Sequence, residues 1–421
     1  MSFRLHGKLK PLAGVFKATI VSFVAILAFA IYDFTLPIFT EGEGASFAIV
    51  GLIVSLVYVA SLLSEIPVGL AVDKYGRIKV ILLAMLAMGI VGIAYFFTES
   101  LLLLAVLSLV FGTVAVAFWI PSTVLIRDFS PRRMLSQSEG IYFTITQLGW
   151  VFGPIIAGIV AMQFSDKHNF LLLALAMFAA VGLGMAIFRG KKAEKFRELE
   201  KAHKHEPRLS LLKTIFSEYM NVHKHAGPLY ALTFAIYVWI AIEWAFVPLA
   251  GIERFGFSEI AVGLILGAMM AVEGLIYYTS GYLMDKIGKK YIITAGFLLL
   301  FSSAYFMFLS TTPAIFVIAT LLAAAGVAWV LPGTEALLTE IVPANLYGEM
   351  SGVFDTSKDF GFIVGPTAAG ILATYLANPL APFAFVAVVA GFAALIAGYV
   401  FWPEEELKNL RLKDLLKFWT R

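Results

Sequence analysis

The 421-residue chain has no cysteine, which excludes disulfides, thiolate metal sites and cysteine nucleophiles. Side-chain amides are nearly as scarce: glutamine occurs only at 137, 147 and 163, and asparagine only at 169, 221, 345, 378 and 409. Poverty in all three residues is a thermophile signature, but membrane spans also deplete amides, so either origin explains it. Charge is thin, at 14% of residues against ~25% in soluble domains. With 31 basic and 28 acidic residues the net charge is only +3, so no nucleic-acid partner is expected. The chain also lacks an ATP-binding loop, an HExxH pair and any nucleophile motif. It is therefore not expected to be an enzyme, and no cofactor or metal is expected. What it has in abundance is apolar surface: 60% hydrophobic residues and a mean hydropathy of +0.89. No water-soluble fold of this size hides so much, which makes the lipid bilayer the surrounding medium.

A spanning helix needs ~20 apolar residues, and twelve such stretches are present. They run over 15–39, 46–71, 78–97, 101–125, 138–163 and 169–188, then 228–250, 258–283, 291–310, 313–337, 348–374 and 380–402. The first is too long for a cleaved signal peptide, holds Asp33 and is followed by no small-residue cleavage site. Alternate connections collect 28 of the 31 basic residues; the remainder are Lys167, Arg254 and Lys358. The positive-inside rule then places both termini in the cytoplasm. The expected organisation is a six-helix bundle over 1–188, a basic linker over 189–227, a second six-helix bundle over 228–403, and a tail over 404–421. The linker holds His203, His205, His223 and His225. Paired imidazoles suit a metal, but a basic segment on an anionic leaflet explains them more simply. Leu407, Leu410, Leu415 and Phe418 among charged neighbours make the tail an expected amphipathic surface helix.

The chain resembles itself at a spacing of 212. Gly69, Asp73, Lys74, Gly76 and Arg77 recur as Gly281, Asp285, Lys286, Gly288 and Lys289. Pro131 matches Pro343, Gly140 matches Gly352, and Gly149, Gly153, Pro154 and Gly158 match Gly361, Gly365, Pro366 and Gly370. An even number of crossings per unit makes these parallel repeats about an axis along the membrane normal. Gly69 and Gly281 are expected to allow close helix approach, and Gly76 and Gly288 a tight turn. Asp73 and Asp285 are expected to accept charge-assisted hydrogen bonds, latching neighbouring helices at the cytoplasmic face.

The loop of Gly69, Asp73, Lys74, Gly76 and Arg77, present in both halves, resembles the signature of the major facilitator superfamily of secondary transporters. The resemblance covers essentially the whole chain. It implies an all-α fold of twelve transmembrane helices in two pseudo-symmetric six-helix bundles, with spans one, four, seven and ten around a central cavity, working by alternating access. The segment with Gly149, Gly153, Pro154 and Gly158 is similar to the motif of proton-coupled antiporters in that superfamily. It departs from the drug-antiporter pattern in span four, where Ser108 stands in place of a buried arginine.

Seven carboxyls lie within spans, at Asp33, Glu65, Glu243, Glu273, Glu335, Asp355 and Asp359, against one ammonium at Lys358. Intramembrane ionisable groups are costly and point to function; a carboxyl in a dry interior is best tolerated as the neutral acid, which a proton carrier requires. Asp33 precedes Pro37 by four residues and Glu243 precedes Pro248 by five, so the two are expected to face one another across the cavity. Glu273, Lys358 and Asp359 are further proton-coupling candidates, Lys358 being able to pair with either Asp355 or Asp359 on one helical face. Glu65 is expected to belong to the latch. Tyr32, Trp119, Trp239, Trp244 and Trp329 are candidate substrate contacts, since aromatic walls beside a carboxylate suit a cationic, lipophilic ligand. The expected function is proton-coupled efflux of such molecules by a monomer in the plasma membrane. A proton-coupled importer or a lipid-type carrier would use the same carboxylates.

Overall fold

The computed structural model describes residues 12–130, 134–188, 212–341 and 347–401. Pro131, Pro343, His203, His205 and the tail over 404–421 lie outside them. Twelve helices of at least 20 residues follow in order: α1 (Ala13–Gly42), α2 (Phe47–Tyr75), α3 (Arg77–Phe96), α4 (Leu101–Phe129), α5 (Leu135–Gln163), α6 (His168–Ile187), α7 (Leu212–Phe255), α8 (Glu259–Ile287), α9 (Lys289–Phe308), α10 (Pro313–Ile341), α11 (Tyr347–Leu376) and α12 (Ala381–Phe401). All twelve are long and apolar enough to span a bilayer. At 1.5 Å per residue the shortest reaches about 30 Å. Leu102, Leu275, Phe97 and Tyr399 are each more than 70% exposed, as side chains are where lipid replaces water as solvent.

One difference from expectation concerns α7. It begins at Leu212, inside the interval read as a linker, and carries His223 and His225. No glycine or proline falls between Leu212 and Ala226, so nothing in that stretch breaks the helix.

Chain reversals define two ends. The basic end holds the α2–α3, α4–α5, α8–α9 and α10–α11 turns; the far end holds the α1–α2, α3–α4, α5–α6, α7–α8, α9–α10 and α11–α12 turns. At the basic end α2 passes into α3 through Gly76 alone, at φ 87°, and α8 into α9 through Gly288 alone, at φ 106°. Left-handed backbone of this kind favours glycine. At the far end Ser46 and Ser258, 212 positions apart, cap α2 and α8 by accepting from the Ile49 and Ala261 amides.

The two halves meet along two seams, α2 against α11 and α5 against α8, and the seams are copies of each other. A Cβ on Gly51 would lie 2.1 Å from the Pro366 carbonyl oxygen, and one on Gly263 would lie 2.4 Å from the Pro154 carbonyl oxygen. Gly370 abuts the Phe47 carbonyl as Gly158 abuts that of Glu259. Within each half, Gly149 and Gly153 receive α1, and Gly361 and Gly365 receive α7. Small residues thus let backbones touch where hydrocarbon offers no hydrophobic drive. Towards the basic end this tightness stops. Gly69, Gly140, Gly281 and Gly352 have nothing within 4 Å of a Cβ among the described residues, so the close approach expected at Gly69 and Gly281 does not occur. The halves are pressed together at the far end and diverge towards the basic end.

A candidate transport site between the two halves

Between the halves lies a cleft lined by Tyr32, Asp33 and Pro37 of α1, Val57 and Tyr58 of α2, and Ala241, Trp244 and Ala245 of α7. Asp33 is its one carboxylate, and no ion pair or hydrogen bond from a described residue reaches it. Pro37 lacks the N–H that would bond to the Asp33 carbonyl, and Pro248 likewise releases the Trp244 carbonyl. Counted from these prolines, the counterpart of Asp33 is Trp244, not Glu243. One residue turns a helix by about 100°, and that offset sends Glu243 away from the cleft. The expectation that Asp33 and Glu243 face one another is corrected accordingly.

Glu243 instead looks into its own half. It is 2% exposed, and its Oε2 accepts a hydrogen bond from Trp239 Nε1 at 2.7 Å. The Glu273 carboxyl, 4% exposed, lies close enough to interact with it electrostatically. Tyr277 donates to Glu273 Oε2 at 3.3 Å, while Glu273 Oε1 is buried with no partner. Two carboxyls with no cation between them form a pocket that must hold at least one proton to remain dry.

The aromatic residues divide between cleft and packing. Trp119 stacks on Trp150 with centroids 6.3 Å apart and planes 6° apart, and Trp150 meets Trp244 across the halves at 5.2 Å. Phe29 abuts Trp119 at 5.2 Å. Trp239 is committed to Glu243 rather than to the cleft. Trp329 packs behind α10, where a Cβ on Gly296 of α9 would lie 3.2 Å from its Cβ. Tyr32 is buried and stacked on Phe111 at 3.8 Å. Its hydroxyl bonds that of Tyr95 at 3.0 Å, which bonds Ser108 at 2.9 Å. Ser108 therefore closes a neutral hydrogen-bonded chain where the resemblance expects an arginine. Trp150 and Tyr95 were not singled out from sequence; for Trp150 the available signal was its place inside the glycine motif, directly after Gly149.

Lys358 turns to Asp355 at 3.0 Å and to Glu335 of α10 at 3.2 Å, leaving Asp359 aside. The basic-end motif is likewise rearranged. Asp73 and Asp285 are exposed and make no hydrogen bond with a described residue; Arg132 and Arg133 of the neighbouring connection lie outside the described residues. Among the described residues the ion pairs of each motif come from the base that closes it: Arg77 bonds Asp128 at 2.5 Å, and Lys289 bonds Glu340. Asp128 and Glu340 are also 212 positions apart, a correspondence that the sequence contained. Lys74 and Lys286 lie over the Tyr75 and Tyr282 rings, at 5.1 and 4.5 Å.

The sequence model of the Major Facilitator Superfamily matches residues 18–250 and 229–414. Multidrug resistance protein 2 of Bacillus subtilis is 25% identical over 410 residues, covering 92% of this chain and 94% of its own. An MFS-type transporter of Methanocaldococcus jannaschii is 25% identical over 393 residues, covering 93% of this chain and 99% of its own. The crystal structure of the nucleoside transporter NupG superposes with a TM-score of 0.75 at 12% identity, covering 92% of this chain and 98% of the other. The family and these relatives are transporters, not enzymes.

Proposed function

The chain belongs to the Major Facilitator Superfamily, a multi-pass membrane transporter, and we propose that it is a proton-coupled antiporter exporting lipophilic, cationic small molecules across the plasma membrane. The observation that carries this reading is Asp33: a carboxylate without a cation, set in an aromatic cleft between two halves that are closed at one end and diverge at the other. A cation resting against Trp244 and Tyr58 gains ring-quadrupole attraction and supplies the charge Asp33 lacks. A proton neutralises the same group when the cleft is dry. The two compete for one site, and that competition is the exchange. By the positive-inside rule the basic end is cytoplasmic, so the conformation described here faces inward. Glu243 and Glu273 form a second proton store behind the cleft, coupled to it through α7, which carries both Glu243 and Trp244. The multidrug resistance relative supports the outward direction. Purified protein in weakly buffered detergent should release protons when tetraphenylphosphonium binds, and Asp33→Asn should abolish most of that release. Binding without proton release in the parent would overturn the reading.

A further inference from the structure

The two seams share their backbone-on-glycine contacts but differ in the polar side chains they carry. On α5–α8, Gln147 donates its amide to the Met270 carbonyl at 3.0 Å, and Tyr277 turns back to Glu273. The equivalents of Gln147 and Tyr277 on the other seam, each 212 positions away, are Asp359 and Glu65. Their carboxyls approach each other across the halves closely enough to interact, and Asp359 Oδ2 is buried with no hydrogen-bond partner among the described residues. Two carboxylates have only acceptors; a bond between them requires one proton. The seam around the pair is packed by specific contacts. Tyr58 stacks on Phe362 at 4.2 Å and 2°, and Ser55 donates to the Ile363 carbonyl at 2.7 Å. Lys358 is the basic residue nearest in sequence to Asp359, and it is engaged by Asp355 and Glu335. The remaining titratable groups near the pair are the Tyr58 hydroxyl on α2 and, beside Lys358, the Tyr237 ring on α7. At this level one seam carries an amide bonded across the halves, and its copy carries two acids.

We propose that Glu65 and Asp359 share a single proton across the α2–α11 seam and form a further proton-carrying site, at which proton loss to the basic-end water separates the two halves. This rests on the proton-coupled reading above and adds Glu65 to the residues that carry it. Glu335 and Asp355, both about half exposed, place charged groups beside the pair on its basic-end side. Loss of the shared proton leaves two like charges in contact, which repel; an amide at either position keeps a donor in place at every pH.

The absence of native cysteine allows spin labels at Leu70→Cys and Gly352→Cys to be placed on an otherwise unaltered chain. Between about pH 5 and about pH 8 the parent should show a growing population of longer α2–α11 distances at the basic end. Glu65→Gln and Asp359→Asn should each lose that pH dependence and keep the short distance throughout. Parent distances indifferent to pH, or both variants tracking the parent, would overturn the proposal. The distances need neither substrate nor gradient, so a pH-sensitive seam without proton-driven flux would sink the transport reading alone. Proton-driven flux with a pH-indifferent seam would sink only this site.

Discussion

Gly51 and Gly263 should decide which conformation the protein rests in. A methyl group at Gly51 would sit 2.1 Å from the Pro366 oxygen, and one at Gly263 would sit 2.4 Å from the Pro154 oxygen. Both obstacles are backbone atoms within helices, so neither can swing aside as a side chain would. Ordinary contact begins near 3.4 Å, so Gly51→Ala demands a separation of 3.4 − 2.1 = 1.3 Å at the tightest point. Overpacking of this kind costs about 1–3 kcal/mol, and here it falls only on the state with its far end closed. The ratio of far-end-closed to far-end-open molecules should therefore drop about 5–150-fold. Spin labels at Glu99→Cys and Thr311→Cys, in the repeat-related α3–α4 and α9–α10 turns, report the opening by pulsed electron resonance. The longer-distance population should rise in Gly51→Ala and in Gly263→Ala, with helical content unchanged. If both variants keep the parent distribution and the parent thermal stability, the seams are not the far-end closure and the reasoning fails.

Other perturbations separate the parts of the site. Trp150→Ala should weaken binding of planar organic cations by about tenfold, within the ~0.5–2 kcal/mol of a cation–π contact, in a fluorescence titration, while binding of an uncharged lipophile falls less. Arg77→Ala, and separately Asp128→Asn, should shift the conformational equilibrium seen by the basic-end labels without changing ligand affinity; equal effects on affinity would place them in the binding site. At the far end, burial and then the Glu259 carboxylate push Asp166 above the usual carboxylate range. Protonated Asp166 therefore favours the closed far end, and that support is lost as pH rises from the ordinary carboxylate range through the raised value. Asp166→Asn should flatten the pH dependence of far-end opening over that window.

Much of this architecture was legible because its signals are one-dimensional. Hydropathy gave twelve spans, and the 212-residue period returned as paired contacts, Gly51 with Pro366 and Gly263 with Pro154. Helix ends at the basic side ran about one turn further than hydropathy implied, as at Asp73 and Lys74, which are the last turn of α2 rather than a loop. Charged side chains there reach the interface while their backbone stays helical. What was not legible is rotation about a helix axis. Asp33 and Glu243 sit at nearly the same distance from their prolines, yet one residue of offset sends one into the cleft and the other into its own half. The same blindness hid the approach of Glu65 to Asp359 across the halves, since no local pattern joins residues 294 positions apart. Lys358 illustrates the converse: two acids were within helical reach, and a third, Glu335 on α10, joined Asp355 in engaging it.

The most direct measurement is transport by the purified protein in liposomes with an imposed pH gradient, using tetraphenylphosphonium as the probe. Proton-coupled exchange requires the cation to accumulate against its gradient in the acidic compartment, as protons leave it, and the accumulation to vanish when the pH gradient is collapsed. Asp33→Asn should bind the cation more weakly and lose gradient-driven accumulation, while Glu243→Gln should retain binding and lose most of the pH dependence. Accumulation by Asp33→Asn equal to that of the parent, or flux in the parent indifferent to the pH gradient, would contradict it.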